Sequence, residues 1–180
     1  MLISSPAKAW EEIRLDGDKR KVFTGFVYPM LGLCAFAVFL GALFINGWGG
    51  PESFQIAMTK CCVVVVSLFG GYFLAAYIIN ELDVKLFKLE SDVPFVQQFV
   101  GYSFVVIFIT NIITGLLPSF SLIAFLLQFY TVYVVWEGAR VVMEIEEKSR
   151  LKYTAVVSAM IIICPLVIEF IFNKLLFFLN

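Results

Sequence analysis

Histidine is absent from this 180-residue chain. That removes the side chain whose ordinary titration lies nearest neutral pH, and with it the commonest metal ligand. Charge is scarce too: 15 % of residues are Asp, Glu, Lys or Arg, against 61 % hydrophobic, and the mean hydropathy is +0.94. Soluble domains sit near about half apolar and about a quarter charged. A soluble globule of this length could not hide so much apolar surface, whereas a bundle facing lipid need not. The net charge of −1 points neither to nucleic acid nor to general steering of charged ligands. Cysteine pairs of the CxxC kind are missing as well. Cys34, Cys61, Cys62 and Cys164 fall in or beside apolar stretches, so neither a zinc site nor a disulfide framework is indicated. They read as buried, inert thiols. No cofactor is expected.

What is present is a set of five long apolar runs. A spanning helix needs about 20 mostly apolar residues. The runs cover Thr24 to Ile45, Cys61 to Ile79, Phe99 to Leu117, Phe120 to Trp136 and Tyr153 to Phe172. They lack period-2 alternation, and only helices satisfy their own backbone groups in lipid without closing a barrel. No small-residue cleavage site follows the first run, so it is expected to stay attached. The predicted fold is all-α: a polytopic membrane protein, a bundle of five transmembrane helices (residues 24–180) preceded by a short amphipathic, interfacial N-terminal segment (1–23).

Orientation follows from the basic residues. Lys8, Arg14, Lys19, Arg20 and Lys21 precede the first run, Lys85 and Lys88 lie between the second and third, and Arg140, Lys148, Arg150 and Lys152 between the fourth and fifth. Lys60 and Lys174 alone fall on the other side. The positive-inside rule then predicts a cytoplasmic N-terminus and a C-terminus outside.

The connections differ in kind. Asn46-Gly-Trp-Gly-Gly-Pro51 reads as a glycine-rich outer loop, and Pro118-Ser119 as a tight hairpin between the third and fourth spans. Residues 137–150 read as a helical continuation of the fourth span, with Glu137, Arg140, Glu144 and Glu147 on one stripe. Such a stripe is either a solvated, self-paired face or a docking surface. At the start of the chain, Ser5 suits an N-cap and Pro6 the first helical position. Ile3, Trp10 and Ile13 then share an apolar side of a helix lying along the interface, which adds Trp10 to the candidate docking face.

Charged groups at membrane depth cost a few kcal/mol or more, which makes them functional suspects. Glu169 lies late in the fifth span and Lys60 begins the second. They are expected either to pair or to snorkel toward water. Asn111 and Gln128 stand at similar distances from the Pro118-Ser119 turn, so a hydrogen bond across that hairpin is expected, or a shared polar cavity. Small residues recur every four positions at Ser67, Gly71 and Ala75, and at Ala37 and Gly41, marking close helix seams. Pro29 and Pro165 should kink their spans.

Three stretches carry a resemblance. Ser5-Pro6-Ala-Lys-Ala-Trp10-Glu-Glu-Ile13, Phe95-Val-Gln-Gln-Phe-Val-Gly-Tyr102 and Tyr130-Thr-Val-Tyr133-Val-Val-Trp-Glu-Gly138 resemble, in order, the opening segment, third-span entry and fourth-span exit of the Yip family. These are five-span membrane proteins named for binding small Ypt/Rab GTPases in eukaryotes. The resemblance implies a non-enzymatic protein that organises membranes or protein contacts. Eukaryotic relatives carry a long cytoplasmic region before the first span, whereas this chain reaches its first span at Thr24. A bacterial-type member of the cytoplasmic (inner) membrane is therefore implied, rather than a GTPase binder. Its expected partners are the lipid bilayer and a membrane-protein partner or a second copy of itself, with no nucleic acid. A small transporter or channel, or a subunit of one, using Glu169, Lys60, Asn111 and Gln128, is the alternative.

Overall fold

The computed structural model describes residues 2–15, 19, 21–48 and 50–179, and every regular element among them is helical. The charged stretch expected before the first span, with its Asp16, Asp18 and Arg20, and Gly49 of the glycine-rich loop lie outside the described residues. The elements are α1 (Pro6–Leu15), α2 (Tyr28–Asn46), α3 (Pro51–Leu86), α4 (Val93–Ser103), α5 (Val105–Leu116), α6 (Ser121–Gln128), α7 (Tyr130–Val141) and α8 (Glu147–Leu179). Five uninterrupted or nearly uninterrupted helices are long and apolar enough to cross a membrane: Phe23–Asn46, Pro51–Leu86, Val93–Leu116, Pro118–Val141 and Glu147–Phe178.

Consecutive spans run antiparallel, so the bundle has two ends. The basic end carries α1 and the turns at 87–92 and 142–146. The far end carries the 47–50 connection and the short 3₁₀ turn Pro118–Phe120 that makes the expected hairpin. At 36 residues α3 measures about 54 Å, against a hydrocarbon core of about 30 Å. It therefore protrudes well beyond the Cys61 to Ile79 run.

Small residues decide where the spans meet. A Cβ on Gly71 of α3 would lie 2.5 Å from the Pro165 Cα of α8, and one on Gly41 of α2 would lie 1.7 Å from the Gly115 carbonyl oxygen of α5. Backbone thus rests on backbone at both seams, as the small-residue spacing predicted, with Ser67, Ala75 and Ala37 buried alongside. Beside the second seam the Cys34 thiol donates to the Phe108 carbonyl at 3.2 Å. Pro29 leaves a different mark: a single π turn, Phe23–Val27, precedes it. Proline lacks the N–H that would bond four residues back and clashes there, and the widened turn accommodates it. The α-helical run of the third span is interrupted at Phe104 and that of the fourth at Phe129. Of α6 only Ala124 is buried; Leu122, Phe125 and Leu126 face outward, as suits a helix wetted by lipid. The four cysteines are free, but only Cys34 and Cys164 are buried; Cys61 is half-buried and Cys62 exposed.

Both helices that run toward the basic end stop in the same way. Lys88 and Glu144 adopt φ of 55° and 51°, and the next amides reach back six residues, Leu89 N to Asp83 O at 3.0 Å and Ile145 N to Ala139 O at 3.0 Å. This is the left-handed cap that glycine normally supplies. The residues 137–150 therefore do not form one continuing helix: α7 ends at Val141 and the chain turns through Glu144 before α8. A side chain in that conformation costs about 1–2 kcal/mol, part of which glycine returns as lost chain entropy. Lys88→Gly is expected to raise the unfolding free energy by about 0.5–1 kcal/mol, measurable as a higher midpoint in a detergent unfolding series.

Candidate functional site

The basic end is assembled around α1. Trp10 is fully buried, with its ring 5.4 Å from Phe99 and set edge-on to Tyr102 at 6.3 Å. Gly138 of α7 makes room for it, since a Cβ there would stand 2.7 Å from the indole. The indole N–H donates to the Val134 carbonyl at 2.9 Å. Two further contacts fasten α1 along the fourth span: the Tyr130 hydroxyl donates to the Ile3 carbonyl at 2.6 Å, and Arg14 donates to the Val141 carbonyl at 3.2 Å while pairing with Glu144. The short helix expected along the interface is thus clasped to the fourth span.

That arrangement corrects the docking face read from sequence. Trp10 offers nothing to a partner because it is spent on the protein's own packing. Glu137 and Arg140 pair with each other at 2.7 Å on α7, Glu144 sits in the turn bound to Arg14, and Glu147 opens α8. The four do not share one helical stripe. What the basic end presents is two concavities. An open groove of about 610 Å³ runs between Glu11, Arg14 and Leu15 of α1 and Arg140 and Val141 of α7. A second, of about 420 Å³, lies between the 86–89 turn and residues 144–149. Asp92 caps α4 by accepting the Phe95 amide at 3.0 Å and pairs with Lys19, which holds its carboxyl below the usual range.

The membrane-depth candidates are scattered. Asn111 donates to the Ile107 carbonyl of its own helix at 2.9 Å, and among the described residues it makes no bond to Gln128 at the end of α6. Among the described residues neither Lys60 nor Glu169 has an ion-pair partner. The register of α3 on α8, set by Gly71 against Pro165 and Phe87 against Tyr153, places Lys60 opposite the Leu176 region and Glu169 opposite Ser67. The two charges are thus about seven residues, or about 10 Å, apart along the axis. Lys60 is exposed beside Glu52, Gln55 and Thr59 of its own helix, and Glu169 is partly exposed.

A carboxyl that sequence reasoning passed over is the most deeply buried among the described residues. Asp83 is 1 % exposed, near the basic end of α3, and neither of its oxygens has a hydrogen bond of ordinary geometry. The hydroxyl of Tyr153, on α8 and also fully buried, faces it. Phe87 packs edge-on against that tyrosine at 4.9 Å. Further into the bundle, Ser103, Thr131, Thr154 and Ser158 are buried with hydroxyls likewise unbonded. The signal was there to find. Tyr72, Ala75, Ala76 and Ile79 are buried at helical spacing, and Asp83 is the next position on the same face. Flanked by Glu81 and Lys85, it reads as part of a solvated connection.

Five antiparallel spanning helices, closed at one end by a docked amphipathic helix, define an integral membrane protein of the multi-span helical class. The chain matches the Yip1 domain over residues 1–168 and belongs to that family. No curated protein and no solved structure matches it.

Proposed function

We propose that this protein is a non-enzymatic scaffold of the bacterial inner membrane, whose basic end faces the cytoplasm and gathers a membrane-protein partner, with the C-terminus outside. The observation that carries the reading is the clasped basic end. Three bonded levels between residues 3–14 and the fourth span fix a rigid surface on which charged residues line two open concavities. The skew of Lys and Arg toward that end supports the orientation, and a chain without histidine, belonging to the Yip1 family, favours contact over catalysis.

A photo-crosslinking residue at Arg140, in the groove, is expected to give a discrete adduct with a membrane protein after gentle detergent extraction. The same residue at Leu122, on the lipid-facing α6, is expected to give only lipid adducts. A monodisperse chain with no Arg140 adduct, combined with solute flux in proteoliposomes that Glu169→Ala abolishes, would establish transport instead. That alternative now draws on groups the fold sets apart: Glu169 and Lys60 at separate levels, Asn111 turned to its own backbone.

A further inference from the structure

We propose that Asp83 and Tyr153 form a proton-binding site, closed by Phe87 and reached from the concavity between the 86–89 turn and residues 144–149. The argument is independent of the scaffold reading. An ionised carboxylate removed from water costs several kcal/mol unless a cation or several donors compensate it. Among the described residues no Lys or Arg pairs with Asp83. One hydroxyl and one carboxyl cannot supply the roughly six or more oxygens that Mg²⁺ or Ca²⁺ takes.

A proton resolves the site. On Asp83 it removes the buried charge and creates an O–H donor, which the Tyr153 oxygen can accept while the tyrosine O–H donates to the other carboxyl oxygen. Taking up the proton forms one O–H bond, and releasing it to water restores the carboxylate; no other bond changes.

The charged neighbours do not supply an alternative. On α3 itself Glu81 and Lys85 pair with each other at 2.6 Å on the exposed side. On α8, Arg150 lies one turn before Tyr153, but it donates to the Ile145 carbonyl at 3.3 Å and lies over the Trp136 ring. Neither α2 nor α4 contains a charged residue. In the adjoining turn Lys88 and Glu90 are exposed, and Glu144 and Glu146 stand across the concavity. Phe87 lines that concavity on one side and touches Tyr153 on the other, so it is the barrier between water and the carboxyl.

The test is isotope-edited infrared spectroscopy on the full chain in lipid nanodiscs, with ¹³C-labelled aspartate. The chain has four aspartates, Asp16, Asp18, Asp83 and Asp92, so a labelled carboxylic-acid band can be assigned. At neutral pH such a band is expected, lost in Asp83→Asn and shifted in Tyr153→Phe. Its shift on transfer to D₂O should develop several-fold faster in Phe87→Ala. The wild-type spectrum stands alone should Asp83→Asn fail to fold. Absence of a label-sensitive acid band at neutral pH would overturn the proposal, as would its persistence in Asp83→Asn. A band indifferent to Tyr153→Phe would remove the pairing, and unchanged exchange in Phe87→Ala would remove the gate.

Discussion

Replacing Trp10 by alanine is expected to lower the unfolding free energy by about 3–5 kcal/mol, the range for deleting a fully buried large aromatic. The indole fills a space that Gly138 keeps open and packs tilted against Phe99, so its loss leaves a cavity where three helices meet. It also removes the bond to Val134. Trp10→Phe separates the two contributions: most of the packing survives, the N–H does not, and the expected cost falls to about 1 kcal/mol. Thermal or denaturant midpoints in mild detergent read both. A Trp10→Ala protein that unfolds with the parent would mean that α1 does not hold the fourth span.

The second large effect belongs to Gly41. A methyl group there would sit 1.7 Å from the Gly115 carbonyl oxygen, and a methyl on Gly115 would meet the Val38 backbone at 2.9 Å. Neither neighbour is the end of a flexible side chain, so α2 and α5 must part along their length. Gly41→Ala is expected to cost about 3 kcal/mol, the upper part of the overpacking range. Gly32→Ala serves as the internal control on the same helix. Nothing lies within 4 Å of its added Cβ, so it should be neutral or stabilise by up to about 1 kcal/mol through helix propensity. If the two variants shifted the unfolding midpoint equally, the backbone contact would not be the reason.

The five spans were legible because twenty apolar residues in a row have few other homes, and the seams because glycine and alanine at four-residue spacing line one helix face. Three other features lay beyond that kind of reading. Trp10 presents an amphipathic pattern that suits an interface and a protein groove equally, and only the partner's Gly138, well over a hundred residues away, distinguishes them. Of the two outcomes weighed for Lys60 and Glu169, pairing or snorkelling toward water, residue counts could not choose, because the register of α3 on α8 is set by Gly71 and Pro165; Asn111 bonds its own helix because an amide there has carbonyls within reach. Asp83 was hidden by its neighbours' charge. Its place on the buried face becomes evident once α3 is known to continue past the apolar run to Leu86.

The hydrogen bond from Trp10 to Val134 joins residues 124 positions apart, and that separation dictates an order of events during synthesis. The first helix leaves the ribosome early, yet its binding groove does not exist until the fourth span has been delivered to the bilayer. In the interval the indole must rest among lipid headgroups, where tryptophan is well tolerated. A nascent chain stalled before α7 would therefore carry α1 on the membrane surface, and that segment would leave the surface only once the fourth span has left the ribosome and entered the bilayer.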